Sequence, residues 1–203
     1  MTQRDPRTRE RIIIGAADLI RRRGLAGSTV RDLAAHSGAP LGSTYHYFPR
    51  GKQQLAAEAV RFAGDLVVRV LERELQTGPV AGLRAFLALW RQTVLDSDFT
   101  AGCPVLAVAV EEAPADGDPE AIIAAAEVFT RWQSLLSASL HEHGVPLDEA
   151  SRLATLIIAA VEGTVAMCRA QRDIQPLDDV TIQLETLVTA HLDRPSTPRP
   201  LSR

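Results

Sequence analysis

Eight consecutive residues, Leu41-Gly42-Ser43-Thr44-Tyr45-His46-Tyr47-Phe48, mix small side chains, hydroxyls and aromatic rings without a wide apolar face. Small side chains let a helix approach a groove closely. Ser and Thr hydroxyls bond base edges or phosphate oxygens, and Tyr hydroxyls reach phosphates. Phe48 suits a core. Lys52, the single lysine of the chain, opens the next helical pattern, and a cation at a helix N-terminus is a phosphate site. Taken one at a time, Tyr45, His46, Tyr47 and Lys52 read as solvated surface. Taken together they point to a polyanion.

A second group of chemically capable residues lies further along. Glu162 follows the apolar run Leu156-Ile157-Ile158-Ala159-Ala160-Val161, where a carboxylate is either partnered or functional. Its partner would be across a subunit interface or within the helix, with Arg169 and the backbone near Gly163 available. Cys103 at a helix start is either an activated thiol or a small core residue. Outside residues 41–48 the aromatic residues are Phe62, Phe86, Trp90, Phe99, Phe129 and Trp132, and all but Phe99 lie on three helices, with Leu66 one turn from Phe62. They form either a ligand pocket or ordinary core. His141 and His143 are two apart, do not share a helix face, and lack further ligands, so no metal is expected. No cofactor is expected either. Gly-x-Ser-x-Gly, Gly-x-Gly-x-x-Gly and a phosphate loop ending in Gly-Lys-Ser/Thr are all missing.

The elements that position these residues read as helices throughout, about nine, so the fold class is all-α. Apolar residues at Ile13, Ala16, Ala17 and Ile20 share one face of a helix over 7–23, which Gly24 stops. Ser28 or Thr29 caps a second, short helix. The turn His36-Ser37-Gly38-Ala39 leads to a third helix with Pro40 in its first turn, ended by Pro49. Longer helices are predicted over 52–75, with Leu55, Ala59, Phe62, Leu66 and Val70 as its stripe, and over 80–95. A short one follows over 104–112. Three more are predicted over 120–142, from about Asp148 as a cap to 172, and over 177–192. Pro114–Pro119 reads as a loop and 194–203 as a disordered tail. The last two helices carry more apolar surface than one bundle needs. Leu153, Ile157 and Val161 with Leu184, Leu187, Val188 and His191 are the expected faces of a two-fold dimer.

Composition narrows the class. With 203 residues, 46% hydrophobic and 23% charged, the chain can bury a core in at most two small domains. Apolar runs such as Val105–Val110 fall far below the roughly 18 residues of a membrane span, and no secretory signal is visible behind the polar N-terminus. Two cysteines make no disulfide framework. A cytoplasmic protein without membrane contact is expected. The net charge of -3 conceals ten basic against four acidic residues over 1–52 and twelve against twenty-one over 53–203. A basic head on an acidic body suits one end meeting nucleic acid.

Three short helices with a tight Gly-containing turn form a helix-turn-helix pattern. Thr29-Val30-Arg31-Asp32-Leu33-Ala34, then Gly38, then Ser43-Thr44-Tyr45-His46-Tyr47-Phe48-Pro49 and Lys52-Gln53-Gln54-Leu55 resemble the DNA-binding signature of the TetR family of bacterial transcription regulators. Gly51, Gly102-Cys103-Pro104-Val105-Leu106, Arg169 and Gln175-Pro176-Leu177 are similar to its LmrA-like branch. The resemblance implies a homodimer with a helix-turn-helix domain over 1–51 and a ligand-binding and dimerisation body over 52–193. It implies a double-stranded DNA operator and a small apolar or planar aromatic effector as partners. By the same resemblance, Thr29 and Tyr47 would touch phosphates, Leu41, Gly42, Ser43, Thr44 and Tyr45 would face base edges with His46 beside them, and Lys52 would clamp the backbone. Phe62, Leu66, Phe86, Trp90, Cys103, Phe129, Trp132 and Glu162 would line the ligand site. The sequence departs from many members at Gly51, an added residue, and at Gly42, where a long basic side chain is common. The competing expectations are a helical interaction module and a small helical enzyme; neither needs a basic, tyrosine-rich third helix.

Overall fold

The computed structural model describes residues 6–113 and 119–194, and its regular elements there are all helical. The Pro114–Pro119 loop up to Asp118, and the tail beyond Arg194, lie outside the described residues. In chain order the helices are α1 (Pro6–Arg23), α2 (Val30–His36), α3 (Leu41–Tyr47), α4 (Lys52–Glu74), α5 (Pro79–Asp96), α6 (Pro104–Ala109), α7 (Glu120–Glu142), α8 (Leu147–Gln171) and α9 (Gln175–Leu192).

Local chemistry explains most of the boundaries. Gly24, at φ 75°, takes the left-handed conformation that closes α1. Thr29 caps α2 reciprocally: its hydroxyl accepts from the Asp32 N–H at 3.1 Å, and its own N–H donates to the Asp32 carboxylate at 2.8 Å. Pro40 is the residue before α3 rather than part of its first turn. Pro79 and Pro104 open α5 and α6, where a missing N–H costs nothing. Helix α6 ends at Ala109, short of the expected Glu112. The Val110 N–H closes on Leu106 and Val108 carbonyls, and the Glu111 carboxylate instead accepts the N–H groups of Leu25 and Ala26. Asp148 lies in the first turn of α8 and does not cap it; Pro146 holds the cap position.

One continuous core runs from Ile12, Leu33 and Phe48 through Leu55 and Val60 to Trp132, Ile157 and Val188. Helix α4 stands at its centre. The predicted stripe holds at Leu55 and Ala59 and then shifts by one row. Val60, Gly64, Val67, Val68 and Leu71 are buried, while Leu66 is 44% exposed. The shift follows from α4 being packed by α1, α5 and α7 together. Gly64 permits the close approach of α7, since a Cβ there would lie 2.6 Å from both Val128 methyls. The Trp132 indole N–H then donates to the Gly64 carbonyl at 3.2 Å. Helix α8 is long and apolar enough to cross a membrane, with a mean hydropathy of 1.6, but half of that window is buried within the chain.

Candidate DNA interface and effector cavities

Helices α2 and α3 set the reading face. Gly42, Tyr45 and His46 are exposed, and Leu41, Ser43, Tyr47 and Lys52 are half-buried. A Cβ at Gly42 would meet nothing, so that position is open for a close approach. Thr44 does not belong with them. It is fully buried, and its hydroxyl donates back to the Pro40 carbonyl at 3.4 Å. The expected base contact by Thr44 is therefore corrected: Thr44 and Phe48 point to the core. Thr29 is exposed, but its hydroxyl is already engaged by Asp32, at 2.6 Å to the carboxylate.

The reading face is braced from behind. Asp18 on α1 joins His36 at 2.7 Å, Arg21 at 2.6 Å and Arg22 at 3.1 Å. Burial alone would raise its pKa, but hydrogen bonds from His36, Arg21 and Arg22 outweigh burial and hold the carboxyl at about 2. The first three helices are also tied to the body, by Glu111 and at two further places. At the end of α1, the Gly102 N–H donates to the Arg21 carbonyl at 2.9 Å. Arg169 Nη2 donates to the carbonyls of Arg22 and Thr100 at 3.2 and 3.1 Å. At the start of α7, Arg50 pairs with Glu120 at 2.8 Å, and the Gln53 carbonyl oxygen accepts from the Ala121 N–H at 3.3 Å. Sequence reasoning missed Arg50, Gln53, Glu111 and Arg169 as couplers, because nothing in their spacing reveals partners tens of residues away.

The expected single pocket resolves into two cavities with a wall of rings between them. Phe86, Trp90, Trp132 and Phe129 stack edge to face, with centroids 5.6 to 6.3 Å apart. The first cavity, about 450 Å³, lies among α1, α4, α5 and the start of α6, with Ile14, Phe62, Leu66, Leu89, Trp90 and Pro104 in its lining. The second, also about 450 Å³, lies between α7 and α8 and takes in Phe129 and Glu162. Phe86 and Trp132, both fully buried, line neither and are corrected to core residues. Cys103 is likewise core. Its sulfur caps α6 by accepting from the Leu106 N–H at 3.4 Å, and burial pushes its thiol well above the usual range, which opposes an activated thiolate.

Glu162 is 4% exposed, and among the described residues neither carboxyl oxygen has a hydrogen-bond partner. Burial raises its pKa to about 7; the neighbouring Cys103 thiol opposes that only weakly. The partner expected from Arg169 is not made, since that guanidinium serves the carbonyls at the end of α1.

The expected dimer faces also change. Leu153, Ile157, Val161, Leu184 and Val188 are buried inside a single chain, and Leu187 and His191 are half-buried against it. Helix α8 has a second apolar row that periodicity could not separate from the first. On it Leu156 and Met167 are 47% and 49% exposed, and on α9 Ile182 is 61% exposed.

A short three-helix head with an exposed, hydroxyl- and ring-bearing α3, joined to a helical body containing apolar cavities, defines a class of ligand-domain regulators. Comparison with known proteins agrees. Residues 12–59 match the model of bacterial regulatory proteins of the TetR family, and residues 79–183 match the C-terminal domain of LmrA/YxaF-like transcriptional regulators. An HTH-type transcriptional regulator of Mycobacterium tuberculosis is 42% identical, over 91% of this chain and 95% of its own length. The regulator YxaF of Bacillus subtilis is 30% identical over 89% and 95%. A TetR transcriptional regulator from Chloroflexus aurantiacus superposes with a TM-score of 0.71 at 29% identity, covering 90% of this chain and 94% of its own. The chain belongs to the TetR family of transcriptional regulators, with an LmrA/YxaF-like C-terminal domain. The family consists of regulators, not enzymes.

Proposed function

We propose that this chain is a cytoplasmic repressor that grips a palindromic operator as a two-fold dimer and is released by a small apolar or aromatic effector. In this reading residues 1–51 form the reader and 52–193 the ligand-binding and dimerisation body. Leu41, Gly42, Ser43 and Tyr45 meet base edges with His46 beside them, and Tyr47 and Lys52 meet phosphates, while Thr29 keeps its donors on Asp32. The second copy covers Leu156, Met167 and Ile182, which buries their exposed apolar surface.

The observation that carries the reading is the run of α4. It begins at Lys52 beside α3, and ten residues later Phe62 and then Leu66 form a wall of the first cavity. An effector there favours one tilt of α4 over another, and the tilt alters the spacing of the two recognition helices. Coupling of ~1–3 kcal/mol is typical of such devices. Trp90 lines the cavity, so titrating a panel of planar aromatic compounds is expected to quench its fluorescence. Operator DNA is expected to weaken that binding by the same factor by which the compound weakens DNA binding. A compound that releases DNA and leaves the tryptophan signal of the wild type unchanged places the effector elsewhere.

A further inference from the structure

The second cavity has a polar group that nothing among the described residues satisfies. Both oxygens of Glu162 are buried and unpartnered, and the carboxyl lines a cavity whose other walls include Leu106, Phe129, Ile158 and Ala159. An isolated carboxyl in apolar surroundings carries a large desolvation cost unless something completes its hydrogen bonds. The groups packed nearby do not. Cys103, from the start of α6, touches the carboxyl but offers only a weak S–H donor, and no hydrogen bond of full geometry forms to either oxygen. Arg169, two turns further along α8, is held by carbonyls of Arg22 and Thr100. The Gln133 amide donates to Thr155 at 2.6 Å, and Thr155 donates onward to the Ser151 carbonyl.

We infer that this cavity is a binding subsite for protonated amines with an apolar or aromatic body, and that Glu162 is the residue that receives the ammonium group. An ionised carboxylate accepts hydrogen bonds and donates none, and its charge-assisted bonds to an N⁺–H are roughly twice as strong as neutral ones. The aliphatic walls and the Phe129 ring take the organic body, and a ring is also a favourable neighbour for a cation. The acidic excess over residues 53–203 draws cations towards the body. Burial keeps the carboxyl near its titration midpoint at neutral pH, so it can give up its proton when a cation arrives. This inference rests on the regulatory reading only for what binding then does to DNA.

The test uses two probes of nearly equal shape, 1-naphthylmethylamine and 1-naphthalenemethanol, titrated calorimetrically into the full chain at pH 8. The amine is expected to bind at least about tenfold more tightly than the alcohol. Glu162→Gln is expected to remove that preference while leaving alcohol binding intact, and Glu162→Asp to keep part of it. Equal binding of the two probes, no binding of either, or an amine preference that survives Glu162→Gln overturns the inference. So does a Glu162→Gln protein whose dimer dissociates at concentrations where the wild type stays paired, since the carboxyl then serves the subunit contact. A gel shift on operator DNA run alongside keeps the two readings apart. Retained DNA binding with no amine preference rejects the subsite alone. Glu162-dependent amine binding in a protein that ignores DNA rejects the regulatory reading alone.

Discussion

Met167→Glu is expected to give a monomer by sedimentation velocity and to lower operator affinity by roughly 10²–10⁴-fold, the usual loss when two linked contacts become independent. Met167 is half exposed on α8 in the row that also carries Leu156. A carboxylate there places two like charges near the two-fold axis of the proposed interface without disturbing the buried row of Leu153, Ile157 and Val161. The isolated chain should therefore stay folded, with an unchanged helical circular dichroism spectrum. Leu187→Arg is a poorer probe, because Leu187 packs partly against its own core and its loss confounds folding with assembly. A Met167→Glu protein that remains a dimer and holds its operator moves the interface off this face.

Glu162→Gln is expected to stabilise the protein at alkaline pH. The carboxyl titrates near 7 in the folded chain, against an ordinary value of 4.5. Below the lower value both folded and unfolded states are protonated, and the group contributes nothing to stability. Between the two the unfolded chain releases its proton while the folded chain retains it, so stability falls as pH rises; above about 7 the full penalty remains. The shift corresponds to about 3 kcal/mol. Urea unfolding at fixed protein concentration should show the variant more stable than wild type by about that amount at pH 8, with the difference gone below pH 4.5. An equal gap at both extremes would mean that the effect does not come from ionisation of a desolvated carboxyl.

Much of the fold was legible because the chain punctuates itself. Helix α7 falls on Glu120–Glu142 as predicted, between Pro119 and the left-handed Gly144. The Thr29–Asp32 cap is equally visible as residue types at the right spacing. The burial of Thr44 was also available, since Thr44 and the core residue Phe48 stand at i and i+4, one helical face, but the hydroxyl's chemistry drew attention first. The dimer row was not legible. Helix α8 is apolar on two sides, and periodicity cannot say which side its own chain covers. The division of the ligand site had the same cause: ring spacing on α5 and α7 marks contact between helices, and only the tertiary arrangement shows that the rings meet as a wall. The end of α6 was set by Glu111 reaching the α1–α2 turn, a contact 86 residues apart in sequence.

Operator recognition by this regulator requires that α3 and the start of α4 form a DNA-binding surface. Equilibrium binding of wild type and Lys52→Ala to DNA flanking the protein's own gene, measured by anisotropy across a salt series, tests this directly. Wild type is expected to prefer a pseudo-palindrome with half-site centres about 34–36 Å apart or a multiple of it. Its log affinity should fall linearly with log salt. Lys52→Ala should weaken binding to all sequences alike and reduce the magnitude of the slope by about 0.9 per protomer, one phosphate contact each. Wild-type protein that binds the palindrome no better than random DNA, or a Lys52→Ala protein with altered base preference and the wild-type slope, would contradict the account.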